Sequence, residues 1–153
     1  MITSISRCVE FQRLGNDVFV RLDVGDELHS SIRELGEHGI LSAAITSGIG
    51  RVRDTIIGYL DSDGVYQKET HAEPMELLST QGNLAPGQDG PFTHIHVVLS
   101  DDDHVVRGGH LFESTVEVTA EIHLRVLDSG GGSAFERVET DSEFVALSFC
   151  KIG

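Results

Sequence analysis

The chain has 153 residues, of which 39% are hydrophobic and 24% charged, a composition typical of one globular domain with its own core. Its 25 acidic residues outnumber 11 basic ones, and the formal net charge of −14 makes direct binding to nucleic acid phosphates unfavourable. No apolar run reaches the roughly 18 residues of a membrane span, and no secretory signal is evident, so the sequence predicts a cytoplasmic protein without a membrane anchor.

The first two thirds of the chain mostly has the pattern of β-strands separated by turns. Residues 6–14 and 17–24 flank a Gly-Asn turn and predict an opening hairpin. Further strands are predicted at residues 40–50, which end in a glycine-rich turn, at 55–61 and 65–73, which flank a Ser-Asp-Gly turn, and at 74–85, which precede a Pro/Gly loop.

One helix interrupts these strands. Leu28, Ile32 and Leu35 repeat at helical spacing, and Asp26 and Glu27 are predicted to lie in the first turn. Gly36 or Gly39 can end the helix.

The most regular strand pattern lies at residues 114–127. Apolar residues occupy one face (Val116, Val118, Ala120, Ile122, Leu124 and Val126) and polar residues the other (Glu117, Thr119, Glu121, His123 and Arg125). A glycine loop and a last strand at 144–152 follow. Together the elements predict an α+β fold over residues 1–153, one domain with a mainly antiparallel sheet and one main helix.

Three of the four histidines in the segment PFTHIHVVLSDDDHVVRGGHLF (residues 91–112) predict a metal site. In a strand, His94 and His96 share one face about 6.6 Å apart, while the apolar residues between and after them face the core. If the three aspartates at 101–103 form a hairpin loop, His110 falls opposite His94 and Gly108 opposite His96. Three imidazoles then meet at one point, a ligand set suited to zinc.

Other interpretations of these residues are simpler. Histidines on an exposed strand face are ordinary polar residues, and the DDDH run lacks the spacing of a calcium-binding EF-hand loop. His29, His38 and His71 show no partner pattern and are predicted to be surface residues.

Several blocks resemble one known family. The ordered set G-N-x-A (82–85), H-x-H (94–96), G-G-H-L (108–111) and T-x-E (119–121), with SGIGRVRDTIIGYLD before it, is similar to the plants-and-prokaryotes conserved (PPC) domain. The resemblance covers nearly the whole chain. The AT-hook sequence R-G-R-P of the plant members is absent, so the chain resembles the stand-alone prokaryotic type.

The resemblance implies an α+β antiparallel fold similar to that of acetolactate decarboxylase, assembly as a homotrimer, and a metal ion, usually zinc, on His94, His96 and His110. Two classes of function follow. The first is a metal centre that binds or converts a small molecule, as a zinc-dependent lyase or hydrolase with an open fourth ligand position. The second is a DNA-associated regulatory or protein-interaction module without catalysis.

Acidic side chains could assist catalysis in the first class. Glu121 is the preferred general base or outer carboxylate, ahead of Glu117 and Glu76. Arg51 and Arg53 could meet an anionic substrate or form salt bridges at a subunit contact.

Overall fold

The computed structural model describes residues 8–129, 132–141 and 144–149. Its strands are β1 (Glu10–Leu14), β2 (Asp17–Asp23), β3 (Ala43–Leu60), β4 (Tyr66–His71), β5 (Met75–Gly87), β6 (Gly90–Ser100), β7 (Val106–Val126), β8 (Asp128–Ser129), β9 (Gly132–Ser133), β10 (Phe135–Val138) and β11 (Ala146–Phe149). The helix α1 (Leu28–Glu34) continues into a 3-10 turn, Leu35–His38.

The main sheet has seven antiparallel strands in the order β1-β2-β7-β6-β5-β3-β4, and β3 also pairs with β7. Because β3 and β6 each join β5 to β7, these four strands close into a ring. Two small two-stranded sheets, β10-β11 and β8-β9, complete the described structure. The predicted α+β fold, with a mainly antiparallel sheet and one main helix, is confirmed.

Helix α1 forms where the spacing of apolar residues predicts it. Leu28, Ile32 and Leu35 are at most 1% exposed, since they pack into the core of the sheet. The Glu27 carboxylate caps the helix by accepting hydrogen bonds from the backbone N–H groups of residues 29 and 30. Gly39 adopts a left-handed conformation, with φ 80°, and ends the helical segment. No helix in the described part of the chain is long and apolar enough to cross a membrane.

The predicted turn after residue 50 is wrong, because β3 continues without a break to Leu60. The glycines that suggested a turn instead allow β7 to approach closely. A Cβ atom on Gly50 would lie 2.3 Å from the backbone oxygen of Thr119, and one on Gly48 would lie 2.5 Å from the Ile122 side chain. Glycine at these positions therefore serves strand packing.

Two other strand predictions need correction. The Pro/Gly loop is shorter than expected, because Pro86 pairs with Pro91 and Gly87 with Gly90, which leaves a two-residue turn. Val118 belongs to the predicted buried face but is 57% exposed. The register between β3 and β7 shifts at this point, and such a bulge interrupts the alternation of faces.

Candidate metal centre

Strand β6 presents two histidines on the face opposite the core. Ile95, Val97 and Leu99 are at most 3% exposed, whereas His94 is partly exposed and His96 is exposed. This is the alternation that the sequence predicts, and it places both imidazoles on the open face of the sheet.

The third histidine reaches the same face through a register that differs from the predicted one. The connection between β6 and β7 is a five-residue loop, in which Asp101 N donates to Val105 O and His104 N donates to Asp101 O. Consequently His96, and not His94, lies opposite His110. The register moves by two residues, which keeps every side chain on its predicted face.

The three side chains, named here the histidine centre (His94, His96 and His110), bring their nitrogen atoms together. The Nε2 atoms of His94 and His96 are 3.2 Å apart, and one nitrogen from each of the three histidines lies within 4.8 Å of the others. In a tetrahedral zinc site with bonds of 2.0–2.1 Å, neighbouring ligand atoms are separated by about 3.3 Å. The donor set therefore fits a single zinc ion or a similar divalent metal.

The protonation of the histidine centre also suits metal binding. Burial, together with the charges of His94 and His96, lowers the pKa of His110 to about 4. Burial, and then the charge of Arg137, lowers the pKa of His94. Both imidazoles are thus neutral at pH 7, the form that ligates a metal. The Nδ1 atom of His110 is buried and has no hydrogen-bond partner among the described residues.

Comparison with known proteins decides the family. A family model, the Plants and Prokaryotes Conserved (PCC) domain, matches residues 10–128, which is well over half of the chain. The chain belongs to this PPC family. No curated protein sequence matches it.

Solved structures agree with this assignment. The PPC chain resembles a metal-containing protein from Archaeoglobus fulgidus, with 38% identity, a TM-score of 0.74 and coverage of 94% of this chain and 99% of the other. A PPC protein from Pyrococcus horikoshii is 26% identical, with a TM-score of 0.75 and coverage of 98% and 99%. A candidate DNA-binding protein from Bacteroides thetaiotaomicron has a TM-score of 0.82 and coverage of 94% and 99%, but at 20% identity it supports the fold alone.

Aromatic residues and a lysine border the histidine centre of this PPC domain on the β4 side. The Tyr66 and Phe112 rings lie 5.0 and 4.8 Å from the His110 ring. The Nζ atom of Lys68 lies 3.9 Å above the Phe112 ring. One of the two lysines in the sequence thus contributes positive charge beside the centre.

His29 is a neighbour of the centre that sequence reasoning missed. It was predicted at the surface, but its side chain is only 8% exposed. Its Nδ1 atom lies 2.8 Å from Thr93 Oγ1, and its Nε2 atom lies 3.0 Å from Leu111 O. The sequence does contain a signal for the burial of His29. It precedes the apolar Ile32 by three residues and therefore lies on the same side of the helix.

Arg137, which is only 8% exposed, is a second residue near the histidine centre that the sequence did not predict. It donates from Nη2 to Asn83 Oδ1 across 2.6 Å and from Nη1 to Val145 O across 3.0 Å. Asn83 belongs to the G-N-x-A block and pairs with His94 across β5 and β6. Sequence spacing gave no sign of Arg137, because β10 is distant in the chain and reaches the centre only through tertiary packing.

The structure does not bring Glu121 to the histidine centre of its own chain. It lies eleven residues along β7 from His110, roughly 35 Å of extended strand, and opposes Arg21 and Ile49 on the neighbouring strands. Its catalytic role stays a prediction.

The other predicted polar residues form ion pairs within the chain. Arg51 pairs with Glu76 at 2.7 Å, and Arg53 pairs with Glu117 at 2.8 Å and also with the neighbouring Asp54. Each arginine is already paired with a carboxylate in a partially exposed ion pair. An anionic substrate would have to displace that carboxylate to bind either arginine.

Proposed function

We propose that this PPC protein binds one divalent metal ion, zinc or a similar first-row metal, on His94, His96 and His110, and holds a small molecule beside it. The observation that carries the proposal is the convergence of three imidazole nitrogens within 4.8 Å on an open face. The metal-containing relative from Archaeoglobus fulgidus supports it.

The surroundings of the histidine centre favour a ligand-binding role. A metal with three protein ligands keeps a further position for a small molecule and can act there as a Lewis acid. Tyr66 and Phe112 supply apolar surface next to His110, and Lys68 supplies a positive charge. Activity as a zinc-dependent lyase or hydrolase, with Glu121 as a catalytic group, stays a prediction.

The proposal includes assembly as a homotrimer. Ile49, Leu78 and Val118 are 56%, 46% and 57% exposed and line one shallow depression on the sheet. Exposed apolar residues grouped in this way are typical of surfaces that another subunit covers.

A second candidate function is an interaction module that associates with DNA through protein partners. Structural neighbours include candidate DNA-binding proteins from Bacteroides thetaiotaomicron and Ralstonia eutropha. The net charge of −14 opposes direct binding, because the phosphate contribution to affinity would be repulsive.

Metal content and a titration test the first proposal. Protein purified without added metal or chelator is analysed by mass spectrometry for bound metals, then stripped and titrated with zinc at pH 7.5 by calorimetry. We expect one ion per chain, with anomalous scattering at the histidine centre in crystals. A protein that carries no metal and takes up none overturns the proposal, while salt-sensitive retention of DNA by the pure protein would favour the second candidate.

A further inference from the structure

Arg137 carries a buried positive charge that no carboxylate of the described residues neutralises. Within the described part of the chain its hydrogen-bond partners are the Asn83 amide oxygen and the Val145 backbone carbonyl, and its buried Nε atom has no partner there. Burial lowers the pKa of its guanidinium, and no carboxylate among residues 8–129, 132–141 and 144–149 forms an ion pair that would oppose this effect. An unpaired buried charge is costly, since desolvation is not repaid by a Coulombic partner.

Arg137 is linked to the histidine centre through two residues, Asn83 and Phe92. It binds Asn83, the cross-strand partner of His94, and its guanidinium carbon lies 5.4 Å from the centre of the Phe92 ring. Phe92 precedes His94 by two residues and so occupies the same side of β6.

The guanidinium lines a depression of about 390 Å³, named here the Arg137 depression. Pro91, Phe92 and Val145 give it apolar surface, and Arg33 lies on its helix side. The depression lined by His110 shares Phe92 and Arg33 with it, so the two adjoin. A ligand bound to Arg137 would therefore lie next to the histidine centre.

The charges around the Arg137 depression favour a singly charged anion. Arginine matches a carboxylate by forming two parallel hydrogen bonds, and one guanidinium neutralises one such charge. Asp89 and Glu139 also line the depression and repel any anion, so a dianion such as phosphate, with twice the charge, is repelled more strongly than a monocarboxylate. The apolar residues suit a short hydrocarbon group.

We propose that Arg137 binds the carboxylate of a small monocarboxylate ligand held beside the histidine centre. This proposal rests on the proposed function, because the metal beside the bound ligand belongs to that function. It extends the proposed function by naming the chemical class of the small molecule. Contact between the carboxylate and Arg137 itself does not require the metal.

The test uses isobutyrate, with isobutyramide as a neutral molecule of the same shape and inorganic phosphate as a dianion. Binding to wild-type protein, with and without zinc, is followed through the Arg137 Nε–H resonance by nuclear magnetic resonance. We expect isobutyrate to shift this resonance and to bind at least about ten-fold more tightly than either other compound.

Two variants complete the experiment. Arg137→Gln removes the proposed ligand contact, whereas Arg13→Gln removes a positive charge from an exposed side chain of β1 that does not line the depression. Isobutyrate affinity should fall at least about ten-fold in the first variant and stay within about two-fold in the second. The wild-type resonance gives an answer even if Arg137→Gln does not fold.

The outcomes separate this proposal from the metal proposal. Zinc binding without any isobutyrate-dependent shift overturns the role of Arg137 and leaves the histidine centre standing. Equal binding of isobutyrate and isobutyramide, or equal loss in the two variants, also overturns it. If the protein does not bind zinc but isobutyrate still shifts the Arg137 resonance, the metal proposal is refuted and the Arg137 proposal stands.

Discussion

His29 donates a hydrogen bond from its Nε2 atom to the backbone oxygen of Leu111, with 3.0 Å between the two atoms. A carbonyl only accepts, so the proton of the neutral ring is on Nε2, and Nδ1 accepts from the hydroxyl of Thr93. The β6–β7 ladder ends at His96 and His110, one pair before Leu111. The helix side chain thus joins two strands where they cease to pair, beside two members of the histidine centre.

Replacing His29 with Ala should destabilise the protein by about 2–4 kcal/mol, because the Thr93 hydroxyl and the Leu111 carbonyl both lose a buried partner. Urea unfolding measures this difference. The matched control is His104→Asn, which removes an exposed imidazole at φ 61° and supplies a residue that tolerates this conformation. A control loss as large as that of His29→Ala would contradict the assigned role.

The stability of the metal-free protein should fall as the pH is lowered from about 6.5. Burial lowers the pKa of His29 below 6.5, so between these pKa values the unfolded chain binds more protons than the folded chain. The free energy of unfolding has its full value above the pKa of His29 in the unfolded chain. It decreases as the pH falls through the pKa of His29 in the folded chain. His94 and His110, whose pKa values are also lowered, act in the same direction.

Urea unfolding at several pH values between 7.5 and 4.5 measures this dependence. Each histidine contributes a slope of at most about 1.4 kcal/mol per pH unit. His29→Gln should show a shallower slope than the wild type. An identical slope in that variant would mean that His29 has an ordinary pKa in the folded protein.

The sequence predicts the faces of this protein better than its connections. Alternation places His94 and His96 opposite the core residues, since side-chain period is a property of any strand. The loop between β6 and β7 was misjudged, because aspartates fit both three-residue and five-residue turns. Asp101 decides between them by accepting hydrogen bonds from the backbone of residues 103 and 105, which local sequence does not reveal.

Residues that reach the histidine centre only through tertiary packing are harder to predict from the sequence. Arg137 comes from a strand that is not part of the main sheet, and nothing in its local pattern indicates burial. The role of Gly48 and Gly50 was ambiguous for a related reason. Glycine is common both in turns and where strands pack closely, and at these two positions the structure shows close packing. Only the position of β7 distinguishes these two uses.

Replacing His96 with Ala should abolish or strongly weaken zinc binding and leave the free energy of unfolding of the metal-free protein within about 0.5 kcal/mol, because the side chain is exposed. Val97→Ala should do the reverse and cost about 2 kcal/mol, since Val97 is 3% exposed. Calorimetric zinc titration and urea unfolding are applied to both variants. Wild-type metal content in His96→Ala would refute the ligand assignment.

Gly82→Ala should weaken both folding and metal binding. A Cβ atom at this position would lie 1.9 Å from the backbone oxygen of His94, so β5 and β6 must separate where β6 carries a ligand. We expect a loss of about 2 kcal/mol or more in urea unfolding and a measurable loss of zinc affinity. Gly64→Asn is the control, because its turn position has φ 77° and no atoms within 4 Å of a new Cβ. Unchanged zinc affinity in Gly82→Ala would show that the centre tolerates displacement of this strand.

The proposed trimer should depend on Val118, which is 57% exposed beside Ile49 and Leu78. Val118→Glu places a charge where the apolar surface of another subunit is expected, and burial of an unpaired carboxylate opposes association. Light scattering at micromolar concentration should give three chains for the wild type and a smaller mass for this variant. Leu14→Glu adds the same charge to a 75% exposed position at the β1–β2 turn and should leave the trimer intact. A stable wild-type monomer would refute the assembly, whereas a trimeric Val118→Glu protein would move the contact to another surface.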